Sequence, residues 1–276
     1  MKIGAFVPQG WRMDLNGVAQ DKQWHTILEA ANKIEKLNYE SLWVYDHFHT
    51  VPKPTQDPTY ECWTLMSALS QTTNKLRLGQ MCTCNSYRNP AYLTKVASNI
   101  DVMSGGRLEY AIGAGWYDHE YKAYGYDYPT AGIRLKMLEE SLIIYKLMTT
   151  EENPVFEGQF YKIDGAINQP KPLQKPYPPL WVCGGGDAGK KLFTLLDLCV
   201  SSLRRGHANL LCIVPILTDD PRRESNTILA TLHLRLHMQP RPRTSYGLVA
   251  CAWARADGIR TAKQKACVSA TAQFVP

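Results

Sequence analysis

No stretch of this 276-residue chain approaches the roughly 18 consecutive apolar residues that a membrane-spanning helix needs, so no membrane partner is expected. The opening MKIGAFVPQGW also lacks the sustained apolar core of a secretory leader, because Pro8 cuts the run short. A cytoplasmic location is expected. The eight cysteines include no CxxC pair and no finger-like cysteine–histidine spacing, which argues for reduced thiols and no bound metal. No P-loop is complete anywhere. Tyrosine is nearly missing from one end: of 15 tyrosines, only Tyr246 lies beyond position 188.

That last shortage coincides with a break in charge. Residues 1–188 hold 18 basic and 20 acidic residues, net −2, whereas residues 189–276 hold 13 and 5, net +8. Lysine outnumbers arginine 13 to 5 in the first part, and arginine outnumbers lysine 9 to 4 in the second. The overall charge of +6 is therefore a property of the tail. Its basic residues show no aromatic interleaving, so nucleic acid is not an expected partner.

What the first part does contain is five short apolar runs: KIGAFVP (Lys2 to Pro8), SLWVYDHF (Ser41 to Phe48), LRLGQMCTC (Leu76 to Cys84), LEYAIGAGW (Leu108 to Trp116) and LWVCGGG (Leu180 to Gly186). Near-continuous hydrophobicity marks strands buried on both faces, as in a parallel sheet covered by helices. Helical periodicity fills the gaps. Trp24, Ile27, Leu28, Ala31, Ile34 and Leu37 recur at helical spacing, Trp63 to Leu69 makes a second helix, Asn89-Pro90 opens a third, and Arg134 to Met148 makes a fourth. A hairpin-like insert from Val155 to Gln169 is expected to lie outside the wall of strands. The fold class is α/β, a TIM-type (β/α)8 barrel with about five recognisable strands, and 276 residues suit the roughly 250 such a barrel takes.

The runs end on Gln9, Asp46-His47, Met81-Cys82-Thr83, Gly113-Ala114-Gly115 and Gly184-Gly185-Gly186. The carboxyl ends of parallel strands are where such folds keep their active sites, which points to an enzyme. On a strand, Asp46 and His47 face opposite sides, so one is able to enter the mouth while the other braces the loop. A histidine there suits proton transfer near neutral pH, although a hydrogen-bonded strand-end histidine has the same signature. Cys82 and Cys84, two apart, are expected on one face.

Taken together, these blocks, their order and their spacing resemble the luciferase-like monooxygenase superfamily, in its F420-dependent oxidoreductase branch, from Met1 to about Lys191. The resemblance implies a barrel that binds coenzyme F420, with FMN as the alternative, and a small organic molecule as substrate. It makes His47 the acid–base residue. It makes Asp46, Met81, Cys82, Cys84, Asn85, Arg88, Ala114, Gly115, Gly185 and Gly186 cofactor contacts, and puts Met81-Cys82 where relatives have a non-prolyl cis peptide. A homodimer is the assembly it allows. The sugar-phosphate dehydrogenases of the family carry a catalytic glutamate directly after their Thr-Gly pair. Here that position is Trp116, and the nearby Glu120 is not equated with it.

After LWVCGGG the resemblance stops. The chain divides into a barrel domain, 1–190, and an atypical basic segment, 191–276. Three more strand–helix units are expected of a family member and are not recognisable; Leu210 to Leu217 is a candidate strand and Ile228 to Leu236 is ambiguous. A translated frameshift or other break in the gene explains the coincident changes, and a divergent genuine end is the alternative. The segment is expected to be irregular and to leave the barrel unfinished, with bare strand edges and an inactive product.

Overall fold

The computed structural model describes residues 2–183, 211–215 and 249–251. Strands β1 (Lys2–Phe6), β2 (Ser41–Val44), β3 (Arg77–Gln80), β5 (Leu108–Gly113) and β8 (Leu180–Cys183) pair side by side in that order, every pairing parallel. Each of the five apolar runs thus supplies one of five adjacent parallel strands, as expected. Helices α1 (Gln20–Lys36), α2 (Cys62–Thr72), α3 (Pro90–Met103) and α5 (Ala131–Thr150) occupy the connections. Side chains from helices and strands form one core: Ile27, Ile34, Met66, Leu69, Leu93, Ile100, Leu138 and Leu142 pack against Leu42, Val44, Leu78, Tyr110 and Ile112. This is the two-face burial that the unbroken apolar runs require.

Local chemistry sets the helix ends. Asn89 caps α3 by accepting from the Ala91 and Tyr92 amides, with Pro90 just inside the helix. Glu61 caps α2 through the amides of Trp63 and Thr64. Asn38 sits just past α1 at φ 56°, a left-handed conformation that ends the helix.

The opposite face of the strands forms a second cluster of Phe6, Trp11, Trp43, Tyr45, Val51 and Ala111. Trp43 is fully buried, and it fits because its neighbours on both sides are glycines. A Cβ on Gly79 would lie 2.4 Å from the indole, and one on Gly4 would lie 2.8 Å from its nitrogen.

Three features differ from the sequence reading. The run Leu76 to Cys84 is not one strand: β3 stops at Gln80 and β4 (Thr83–Cys84) resumes after a cis Met81–Cys82 peptide. Cys82 and Cys84 consequently reach different neighbours rather than sharing a face. A six-residue helix, α4 (Asp118–Ala123), also follows β5, too short to show a period. Finally, the tail is not wholly irregular. β9 (Leu211–Pro215) runs parallel along β1, covering the edge expected to be bare, and β10 (Val249–Cys251) pairs with β9. The unpaired donors and acceptors of β1 supply the reason, since a strand edge is a template for an apolar segment such as LCIVP. No pairing joins β8 to β10 among the described residues.

The insert forms an antiparallel pair, β6 (Val155–Glu157) and β7 (Lys162–Asp164), in a sheet of its own. Ile163 anchors it against Ile144 and Met148 of α5. Ile228 to Leu236 lies outside the described residues.

Candidate active site

The carboxyl end of β2 is clamped before any functional group appears. Gln9, fully buried, donates to the carbonyls of Tyr45 (2.6 Å) and Tyr60 (2.7 Å) and accepts from the Tyr45 amide (2.6 Å). Asp46 follows with both oxygens occupied. Its Oδ2 accepts from Arg88 Nη1 and from the Cys84 amide, each at 2.7 Å, and its Oδ1 accepts from Arg88 Nη2 at 2.8 Å. Arg88 also donates to Glu61 at 2.5 Å, so one buried guanidinium ties β2, the turn after β4 and the start of α2 together. Burial alone would depress the Arg88 pKa, but Asp46 and Glu61 hold it above its ordinary value. Asp46 and Arg88 brace the strand end.

His47 turns the other way. Trp11 stacks on its ring with centroids 4.4 Å apart, and Trp116 and Tyr117 meet it edge-on at 5.7 and 5.8 Å. Its Nδ1 lies 2.8 Å from Glu120 Oε2. The Glu120 carboxylate is fully buried and has further donors: the amides of Phe48 (2.6 Å) and His49 (2.8 Å) at Oε1, and the Tyr87 hydroxyl (2.6 Å) at Oε2. Burial would raise its pKa; the His47, Tyr87 and backbone donors outweigh that and hold it below the ordinary 4.5. The sequence reading named Glu120 but gave it no role. Its signal was an acidic residue in the first turn of a short helix directly after a strand-end glycine pair, which is common enough to carry little weight alone.

Two thiols at these strand ends, Cys82 and Cys84, are held above their ordinary pKa. Burial and the nearby Asp46 charge push Cys84 up to about 12, and its sulfur sits 3.1 Å from the Tyr121 hydroxyl. Cys82 is hydrogen-bonded to Cys183, and that bond together with burial raises its pKa well above 9. The glycines at and just after the end of β5 make this packing possible. A Cβ on Gly113 would lie 2.9 Å from the Cys82 sulfur, and one on Gly115, at φ +79°, would lie 2.0 Å from the Tyr121 hydroxyl oxygen.

His47, Met81, Cys82, Gly113, Ala114 and Gly115 therefore gather at the carboxyl ends of β2 to β5, with Met81 and Cys82 packed against the Phe6–Trp43 cluster. Asn85 and Arg88 lie just behind, in the turn after β4. Gly185 and Gly186 lie outside the described residues. Several buried polar atoms here, among them Trp11 Nε1, Gln80 Nε2, Thr83 Oγ1 and Asn85 Oδ1, have no hydrogen-bond partner among the described residues. Among those residues no group of three or more metal-type side chains converges, and no helix is long and apolar enough to cross a membrane.

Comparison with known proteins gives the arrangement a family. Residues 1–194 match the family model described as luciferase-like monooxygenase. The chain is 29% identical over 136 residues to an FMNH(2)-dependent dimethylsulfone monooxygenase of Pseudomonas putida, covering 49% of this chain and 37% of that protein. It is 26% identical over 163 residues to an F420-dependent glucose-6-phosphate dehydrogenase of Amycolatopsis mediterranei, covering 58% and 47%. Among solved structures, an F420-dependent secondary alcohol dehydrogenase in complex with an F420-acetone adduct superposes with a TM-score of 0.59 at 25% identity, covering 77% of this chain and 57% of that one. The chain thus spans less than half the length of the two curated relatives. A match over well more than half of its own residues is sufficient for the assignment: the chain belongs to the luciferase-like monooxygenase family.

Proposed function

We propose that this chain is built as an oxidoreductase that exchanges a hydride between coenzyme F420, held at the carboxyl ends of β2 to β5, and a small organic substrate, with His47 as the acid–base residue. The observation that carries the proposal is His47 itself. It is a strand-end histidine with one nitrogen anchored on a buried carboxylate, its ring stacked on Trp11, and 11% of its side chain still open. Its position beside Trp116, directly after Gly115, puts it next to the glycine strand end.

The residues fit a planar, polar-edged cofactor. Thr83 and Asn85 offer buried oxygens, and Trp11 an indole N–H, that lack partners among the described residues. The Met81–Cys82 bulge, Cys84 and Ala114–Gly115 would flank the ring. Asp46 and Arg88 serve the site by fixing the strand end. F420 would supply two-electron hydride chemistry at its C5. His47 would give or take the accompanying proton at Nε2, its ring held in place by Trp11, Trp116 and Tyr117.

FMN is the second reading, favoured by the 29% identity to an FMNH(2)-dependent relative. It changes the reaction class, because reduced FMN reacts with oxygen and reduced F420 barely does. Anaerobic titration of this chain and of a full-length relative with each coenzyme, followed by exposure to air, separates them. Saturable F420 binding without oxygen uptake is expected; tight FMN binding with oxygen consumption would overturn the F420 assignment.

A further inference from the structure

We infer that Glu120 is a positioning residue: it fixes His47 as the tautomer with its proton on Nδ1 and leaves Nε2 as the free proton acceptor. The inference rests on the reading of His47 as the acid–base group, but its geometry stands independently.

The argument starts from what Glu120 is able to accept. An ionised carboxylate has no proton to give, so every contact it makes must come from a donor. The amides of Phe48 and His49 and the Tyr87 hydroxyl supply three. The fourth, His47 Nδ1 at 2.8 Å, must then also be a donor, and in a neutral imidazole that leaves Nε2 without a proton. Nε2 has no hydrogen bond among the described residues, and it is not among the enclosed atoms that lack one. The carboxylate is held in turn. Its Oε1 is pinned by two consecutive backbone amides belonging to the loop that His47 begins. Histidine and glutamate therefore keep one relative geometry through the main chain as well as through their own bond. Trp11 stacking at 4° between ring planes blocks the remaining freedom, rotation of the imidazole.

This arrangement predicts an unusual response to the mildest substitution. In Glu120→Gln the Phe48 and His49 amides still require an acceptor, so the new amide oxygen is retained at Oε1. The amide nitrogen is then forced to the Oε2 position, where it donates to His47 Nδ1. The proton on the imidazole moves to Nε2, and the free acceptor is lost although the side-chain shape is unchanged. A residue that merely filled space would not invert a tautomer.

The test is 15N NMR of the full chain labelled at histidine, at a pH where His47 is neutral, with its signals assigned by their loss in His47→Gln. For the wild type, protonated Nδ1 and bare Nε2 are expected in about tenfold or greater excess, the ratio a charge-assisted hydrogen bond imposes. Glu120→Gln should reverse the two nitrogen shifts. Tyr87→Phe, which leaves the carboxylate in place, should keep the wild-type pattern. A proton on Nε2 in the wild type, an even mixture of tautomers, or no reversal in a folded Glu120→Gln protein overturns the inference. If Glu120→Gln does not fold, the wild-type and Tyr87→Phe spectra still decide it. No coenzyme or substrate enters the measurement, so failure of the hydride-transfer reading would be seen separately, in the coenzyme titrations.

Discussion

At the scale of residues, the site rests on buried carboxylates held by several protein donors each. Asp46 is the clearest case. Removing its carboxylate in Asp46→Ala strands Arg88 with Glu61 alone, and breaking a buried pair of this kind costs about 3–5 kcal/mol. Urea unfolding should show that loss; one below about 1 kcal/mol would mean water replaces the aspartate. Glu120 gives the pH signature. Its folded pKa lies below 4.5, so its contribution to stability is complete above that pH and disappears as the pH falls through the folded value. Acid titration of stability should therefore be shallower for Glu120→Gln than for wild type as the pH falls below 4.5. The thiols give a third expectation. Cys62, Cys82 and Cys84 all have raised pKa values, burial being the leading cause for Cys62 and Cys84 and the Cys183 hydrogen bond for Cys82. Peptide mapping after iodoacetamide treatment at pH 8 should find all three alkylated far more slowly than free cysteine. Fast labelling of Cys84 would contradict its burial.

At the scale of elements, glycine positions decide how closely the strands carry their side chains. Gly79→Ala puts a methyl into the Trp43 ring and should destabilise by about 1–3 kcal/mol, whereas Gly132→Ala, in the first turn of α5 with nothing nearby, should stabilise by about 0.5–1 kcal/mol. Thermal melts of the two variants should move in opposite directions. The same elements show how much the sequence disclosed. The five parallel strands were legible because burial on both faces leaves an unbroken apolar run, and α3 was legible because Asn89-Pro90 is a capping signal that needs no tertiary context. The split of Leu76 to Cys84 was not, since the residues on either side of the break have the composition of a strand. Nor was the role of Glu120. Its four donors come from residues 33 to 73 positions away, and no local pattern records a contact of that span.

At the scale of the whole molecule, the family match ends at residue 194, beside the point near 189 where the charge and the arginine-to-lysine ratio reverse. We propose that the chain from about residue 191 is not the family's own ending, and that a shifted reading frame produced it. Sequencing genomic DNA across codons 186–205 should reveal an inserted or deleted base; an uninterrupted frame would defeat the proposal. The first 183 residues retain, meanwhile, a feature that reaches beyond stability. Trp43, laid across Gly4 and Gly79, is fully buried, so beneath the rim the face formed by β1, β2 and β3 is closed. That indole is a floor laid by two glycines: a smaller residue in place of Trp43 should open space beneath the rim between β1, β2 and β3.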